Sequence, residues 1–425
     1  MSGALNITSA IVDPALLDLP WNLPLELWPD DNIAALPKGI SRHLVRFAHL
    51  GGYVIAIKET SAEFARSEYD MLRTLQRLQI PCVDPVAVIT NRTDDEGNEL
   101  DSVLVTRHLK FSLPYRALYS QGLRPDTATR LVDALAVLLV RLHIVGFFWG
   151  DVSLSNTLFR RDAGAFAAYL VDAETGQLYD GLSNGQREND LEIARINIAG
   201  ELLDLQAGGR LDDELDPVEI SNGILTAYRN LWKELTGSEE FDQSERWRIN
   251  QRVERLNNLG FDIEELAIKT DDTGTQVRIQ PKVVDAGHHS RRLLRLTGID
   301  AQENQARRLL NDLDSYTVTF GKKDDDEEMV AHEWLAQVFE PVIRAIPKDL
   351  RGKLEPAEVF HQLLEHRWYM SQREGRDVPL AEALGSYVDT VLRHRRDEAT
   401  VISPPTESIT LPVPLPDEED WRKNV

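Results

Sequence analysis

Near residue 126 the chain's hydrophobic pattern shifts from mostly short alternating runs to mostly helical spacing, which points to a small β-rich lobe followed by a helical one. Before that point apolar residues alternate in short β-prone runs. "RHLVRFAHL" and "YVIAIKE" meet at Gly51-Gly52, and "CVDPVAVIT" and "SVLVTRHL" flank the polar segment "NRTDDEGNELD", so both pairs predict antiparallel hairpins. Between them "AEFARSEYDMLRTLQRL" has helical spacing, opened by Thr60 with Glu63 three residues on in capping-box spacing. Beyond the change, "DTATRLVDALAVLLVRLHIVG" is apolar at helical spacing, with Asp126 as its expected N-cap and Gly146 just past its end. Two short apolar runs, "NTLF" and "AAYLVD", precede another helical stretch expected to be capped by Asn189 with Glu192. The class is α+β, a small β-rich lobe followed by a helical one.

The flanking regions differ from this core. Residues 1–40, rich in proline and tryptophan, lack a sustained period and are expected to form an irregular arm laid against a domain. The β-rich lobe is placed at 41–110 and the helical lobe at 111–215. Residues 216–395 read as a separate, mostly helical domain with one β-hairpin ("ELAIKTDDTGTQVRIQPKVV") and a surface loop at "KKDDDEE". Residues 396–425, acidic and proline-rich, are expected to be extended or disordered. Trp334, Trp368 and Tyr369 are expected to pack the C-terminal helices.

Composition narrows the setting. No basic start followed by an apolar run opens the chain, and no apolar stretch reaches membrane-spanning length, so the expectation is a soluble, cytoplasmic protein with no membrane span. A single cysteine, Cys82, excludes an internal disulfide and any cysteine-based zinc site, and it reads as inert packing. A formal net charge of −23 opposes nucleic acid and anionic membrane. Arg291, Arg292, Arg295, Arg307 and Arg308 do gather positive charge, but pairs such as Glu303 and Arg307 at i, i+4 describe a solvated helix face. His143 reads as a satisfied packing histidine, and His288 and His289 beside Asp285 lack the further spaced ligands a metal site requires.

Five polar residues carry the chemistry. In the strand "YVIAIKE", Val54, Ala56 and Lys58 share one face, so Lys58 ends an apolar strand among small residues and needs an anion. Glu68 falls among Phe64, Met71, Leu72 and Leu75 on the apolar stripe of the next helix and needs a cation. The two can satisfy each other as a structural ion pair, or the glutamate can orient the ammonium toward nucleotide phosphates. In "GDVSLSN", Asp151 can accept or orient the proton of an attacking hydroxyl while Asn156 ligates magnesium from the same turn. Asp172, at the end of "YLVD", is a second hard oxygen ligand. Taken singly, Asp151, Asn156 and Asp172 are equally ordinary turn or capping residues.

In order and spacing, "VIAIKE", "SEYDMLRTLQRLQIPCVDPV", "LVTRHL", "RLHIVGFFWGDVSLSNTLF" and "YLVDAET" resemble the landmarks of the protein-kinase-like fold, in the branch containing lipopolysaccharide-core (Kdo/heptose) sugar kinases. The resemblance spans about residues 40–205, and the remainder resembles a bacterial domain of unknown function (4032). It implies a bilobal fold using ATP and Mg2+. Lys58 would then hold phosphates with Glu68 as its partner, Asp151 would be the catalytic carboxylate, and Asn156 and Asp172 the metal ligands. It also puts Ala56 under the adenine, the hinge at Arg107 to Leu109, and Ser153 beside the nucleotide where relatives carry a lysine or histidine.

Several features depart from that pattern. No glycine-rich phosphate loop is present, and Gly51-Gly52 is the nearest equivalent. Trp149 replaces a histidine, "DAE" replaces aspartate-phenylalanine-glycine so that Glu174 becomes an extra ligand or acid, and the activation segment is nearly missing. Three functions compete. The first is an ATP- and magnesium-dependent phosphotransferase for a small hydroxylated acceptor, with a C-terminal partner or regulatory domain. The second is a nucleotide-binding pseudokinase that scaffolds an unidentified protein. The weakest is a nucleic-acid module within 217–320.

Overall fold

The computed structural model describes residues 4–11, 13–34, 44–119, 123–245, 247–270 and 276–399. The expected disordered segment therefore lies, from residue 400 onward, outside the described residues. The architecture is α+β and two-lobed, with a further helical domain. Its first sheet contains β1 (Asn6–Ser9), β2 (Val45–Leu50), β3 (Tyr53–Thr60), β4 (Asp84–Thr90) and β5 (Ser102–Arg107), in the order β1-β4-β5-β3-β2 with all neighbours antiparallel. α1 (Ala62–Arg77) connects β3 to β4.

The expected hairpins form, but their ends differ from the sequence reading. Thr60 is the last residue of β3, and the α1 cap is Ser61, whose hydroxyl accepts from the Phe64 N–H. A strand that runs to its last pairing, Thr60 with Ser102, leaves the next residue to cap. The buried stripe of α1 is Ala65, Glu68, Tyr69, Leu72 and Leu75, while Phe64, in the first turn, is exposed.

The N-terminal arm is more ordered than its lack of period predicts. β1 extends the sheet beside β4, and Leu16, Trp21, Leu25 and Trp28 bury themselves on the face carrying Ile55, Ile57, Ile89 and Val103. Arg92 pins the arm in place. Its buried guanidinium donates to the Trp21, Leu23 and Asp101 carbonyls and pairs with Glu59 at 2.9 Å. A buried arginine keeps its charge, so this set of acceptors is what makes its burial tolerable.

The helical lobe is built on α2 (Pro125–Ile144), whose N-cap is Arg124 rather than Asp126. Proline at the first helical position starts the helix two residues earlier than expected. Leu131, Leu135, Leu138, Leu139 and Leu142 are all essentially buried, each contributing about 2 kcal/mol of burial free energy. The hairpin β6 (Thr157–Asp162) and β7 (Ala165–Leu170) packs on α2, followed by α3 (Asn184–Ala207) and α4 (Pro217–Thr236). α3 starts well before Asn189. Ser183 is its cap, with Gln186 closing the capping box. α4 packs against α2 and α3 and carries Ile224 and Tyr228 into their core, so the lobe's hydrophobic core runs past residue 215.

The C-terminal region contains α5 (Trp247–Asn258) and a three-stranded sheet of β8 (Glu239–Asp242), β9 (Phe261–Thr270) and β10 (Gln276–Ala286). Its principal later helices are α6 (His288–Thr297), α7 (Glu303–Thr319), α8 (Glu327–Trp334), α9 (Pro356–Glu374) and α10 (Leu380–Thr390). They close over a separate core around Trp334, Phe339 and Phe360, whose ring centroids lie 5.2–5.9 Å apart. Trp368 does not join that core. It is 53 % exposed because it lies off the buried Val359, Phe360, Leu363 and Met370 face of α9, and Tyr369 meets it edge-on. The acidic loop is exposed up to Asp326, which caps α8. Among the described residues, no helix is long and apolar enough to cross a membrane.

Candidate functional site

Lys58 stands opposite Val45 and Leu104 in the middle of three strands, so its side chain leaves the sheet toward α1 and the helical lobe. Its Nζ lies 3.1 Å from Glu68 Oε2, 2.9 Å from Asp172 Oδ2 and 2.8 Å from Glu174 Oε2. The segments are brought together by pairing between the lobes. The Val83 N–H donates to the Leu170 carbonyl at 3.0 Å and the Leu170 N–H to the Pro81 carbonyl at 3.0 Å, which sets the end of β7 against the chain leaving α1. The Ala173 N–H then reaches Glu68 Oε1 at 3.3 Å.

Three carboxylates around one ammonium shift the titration of Lys58 and Glu68. Burial pushes the Glu68 carboxyl up to about 7, the Asp172 charge adds to this, and Lys58 opposes it. Burial disfavours the Lys58 ammonium, yet the charges of Glu68 and Asp172 hold its pKa above the ordinary lysine range. Oxygen atoms of Glu68, Asp172 and Glu174 lie within 4.8 Å of one another, a hard-oxygen set of the kind magnesium prefers. Glu174, noted in the sequence only as an extra ligand or acid, thus belongs to the cluster.

The loop "GDVSLSN" is held open by its buried residues. Val152 and Leu154 anchor in the core while Asp151 and Asn156 stay half-buried. Asn156 Nδ2 donates to Asp151 Oδ2 and to the Asp151 carbonyl, both at 3.1 Å, leaving the Asn156 amide oxygen with no protein donor among the described residues. Asp151 Oδ1 accepts from Asn197 Nδ2 at 3.2 Å. The catalytic candidate therefore has neutral amide donors on both oxygens. Trp149 joins this loop to "DAET". Its indole N–H donates to the Asp172 carbonyl at 2.8 Å, and its own carbonyl accepts from the Thr175 hydroxyl at 2.8 Å.

The remaining residues lie outside the carboxylate cluster. Ser153, expected beside the nucleotide, is 5 % exposed, and its hydroxyl accepts from the Asn156 N–H and pairs with Ser155 inside the turn. Ala56 is half-buried in β3 opposite Phe47 and Thr106. Arg107 ends β5 with its guanidinium over the Tyr53 ring at 4.4 Å, and Leu109 follows half-buried. Between them the His108 N–H donates to the Val54 carbonyl, carrying the β3–β5 ladder one residue past Arg107. Gly51-Gly52 forms the β2–β3 turn at the Leu50–Tyr53 end, whereas Lys58 pairs with Val45 at the opposite end of the hairpin. That turn is too remote to cover phosphates held by Lys58, and residues 35–43, which lead into β2, lie outside the described residues.

Sequence reasoning missed three residues on one face of α3. Asp190 accepts from the Trp149 and Gly150 N–H groups at 2.7 Å each, Asn197 binds Asp151 and the Val152 carbonyl, and Glu201 accepts from the Leu154 and Ser155 N–H groups at 2.7 and 2.9 Å. The available signal was the same one that marks Glu68: Asp190 is a carboxylate on a stripe otherwise formed by Leu191, Ala194 and Ile198. His143 is buried as expected, between the Tyr228 hydroxyl and Asp190. His288 meets Asp262, and His289 meets Glu303 at 2.6 Å. Cys82 is buried, and burial pushes its thiol up to about 12. Of the clustered arginines, Arg291 pairs with Asp262, and Arg292 and Arg295 with Glu327.

Comparison with known proteins follows the same division of the chain. Residues 55–197 match the Lipopolysaccharide kinase (Kdo/WaaP) family, and residues 230–392 match the Domain of unknown function (DUF4032). None of the curated proteins compared with the chain matches it. Among solved structures, "WaaP in complex with acyl carrier protein" is similar at 16 % identity and a TM-score of 0.34, covering 53 % of this chain and 89 % of that one. An aminoglycoside-3'-phosphotransferase of type VIII is similar at 17 % identity and a TM-score of 0.31, covering 48 % and 88 %. The chain thus divides into a segment, residues 55–197, similar to the lipopolysaccharide kinase (Kdo/WaaP) family and a segment, residues 230–392, similar to the DUF4032 domain.

Proposed function

We propose that the chain is an ATP- and Mg2+-dependent phosphotransferase acting on a small hydroxylated acceptor in the cytoplasm. The observation that carries this reading is the contact of Lys58 with both Glu68 and Asp172, which joins the strand lysine, the helix glutamate and the acidic loop in one cluster. Asp172 and Asn156, with Glu174 beside them, would hold the metal, whose charge offsets that developing on the transferred phosphoryl group. Lys58 keeps Glu68 as its orienting partner and exchanges a carboxylate contact for a phosphate oxygen. Asp151, its carboxylate fixed by Asn156 and Asn197, accepts the proton of the acceptor hydroxyl as that oxygen bonds to the γ-phosphorus. The bond from the γ-phosphorus to the bridging oxygen breaks, and ADP leaves. Ala56 and the Arg107 to Leu109 segment would face the base.

The shortness of the segment between Asp172 and Ser183 leaves little chain for a peptide-docking groove, which favours a small acceptor over a protein. Purified protein with γ-labelled ATP and a metabolite extract is expected to transfer label, and Asp151→Ala to lose at least ~100-fold of that rate. ATP binding with no transfer to any acceptor would contradict the enzyme reading. A second reading, a pseudokinase whose C-terminal domain serves an unidentified partner, is favoured by Ser153 being buried where relatives place a cation. It predicts stabilisation by ATP without turnover.

A further inference from the structure

The β6–β7 hairpin connects two loops of the site. Asn156 immediately precedes β6, Asp172 follows β7 by two residues, and the Val171 N–H donates to the Asn156 carbonyl at 3.0 Å to close that end. The turn at the other end, Ala163-Gly164 with φ of +50° and +85°, lies roughly 20 Å away at ~3.3 Å per residue. The strand end beside that turn meets the 230–392 domain, while Gly164 itself is exposed. Asp162, 3 % exposed, accepts from the Gln305 N–H at 2.8 Å and from Asn304 Nδ2 at 2.9 Å, in the first turn of α7. Glu358, equally buried, accepts from the Ala163 N–H at 3.0 Å and Gln305 Nε2 at 3.1 Å. Gln305 Nε2 also donates to the Arg161 carbonyl at 2.9 Å.

Both faces of the hairpin are held. Arg160 pairs with Glu355, Arg161 with Glu398 at 2.8 Å, and the Tyr169 hydroxyl donates to Gln302 Oε1 at 2.8 Å. An apolar seam would hold the two bodies together while letting the hairpin slide by a fraction of a residue. A buried polar network in which most donors and acceptors are paired favours one geometry, and among its atoms Arg160 Nε is buried without a partner.

We propose that the 230–392 domain is a positioning element of the kinase-like site, fixing the β6–β7 hairpin and thereby the relative placement of Asn156 and Asp172. This rests on the reading of those two residues as the ones that hold the metal. Asp162, Tyr169 and Glu358 act through the hairpin and touch no reacting atom.

The test is titration of the full chain with Mn2+ and a nonhydrolysable ATP analogue, well below each variant's melting transition, alongside amide exchange of residues 156–173 in the ligand-free chain. Asp162→Asn is expected to weaken binding about tenfold and Tyr169→Phe about threefold, within the range of ordinary coupling, with faster exchange at 156–158 and 170–173. Wild-type affinity and exchange in both variants, with only a lower melting temperature, would overturn the proposal, since a merely structural seam predicts that result. If Asp162→Asn does not fold, Tyr169→Phe decides alone. Should Asp172→Asn bind like wild type, or wild type not bind at all, the metal reading itself fails and takes the positioning role with it.

Discussion

The carboxylate of Asp190 receives the backbone N–H of Trp149 at 2.7 Å across 41 residues of sequence, with no exposure to solvent. Its second oxygen takes the Gly150 N–H at the same distance. Two charge-assisted hydrogen bonds from consecutive amides fix the direction in which the chain enters Asp151. Asp190→Asn turns one acceptor into a donor facing an N–H, and is expected to lower unfolding free energy by about 2–3 kcal/mol. Urea denaturation checks this, with Asn197→Ala, which leaves both amides paired, costing about 1 kcal/mol.

Lys58 is the internal counter-ion of Glu68, Asp172 and Glu174. Lys58→Met leaves three carboxylates facing one another and is expected to cost about 3–5 kcal/mol at neutral pH. A divalent cation then replaces the ammonium. Millimolar Mg2+ should therefore raise the melting temperature of Lys58→Met by several degrees, about 2.7 kcal/mol at a hundredfold excess over Kd, and that of wild type less. Thermal shift with and without Mg2+ measures the difference.

His108, 9 % exposed behind the β5 end, has its pKa lowered to about 4 by burial, with the Lys110 charge adding. The unfolded chain binds this proton near the ordinary value of 6.5, so the neutral ring's contribution is complete above that pH and is lost as pH falls toward 4. Its Nε2 is buried without a hydrogen-bond partner, so a leucine replaces it at little cost. His108→Leu is expected to lose about 3 kcal/mol less stability than wild type between pH 7 and pH 4. Equal losses in urea titrations at the two pH values would contradict that assignment.

The hairpins and the Lys58–Glu68 pair were legible because each leaves a periodic mark: alternation for the hairpins, and a charge intruding on an apolar face for the two partners; the Lys58–Asp172 contact leaves no such mark. Helix starts were misplaced where two capping signals compete, as with Ser183–Gln186 against Asn189–Glu192. β1 escaped because four residues cannot establish a period. The contacts of Asp162 with Gln305, and of Asp190 with Trp149, escaped for a different reason. A hydrogen bond between chain positions 143 or 41 residues apart imposes no spacing on either partner.

The most direct test is the anomalous signal of Mn2+ in crystals grown with a nonhydrolysable ATP analogue. The predicted result is an ion ~2.0–2.3 Å from oxygens of Asp172 and Asn156, with Lys58 Nζ moved onto the phosphates while keeping Glu68. Crystals holding the nucleotide with no ion at those residues, and Lys58 still locked to Glu68, Asp172 and Glu174, would contradict the account.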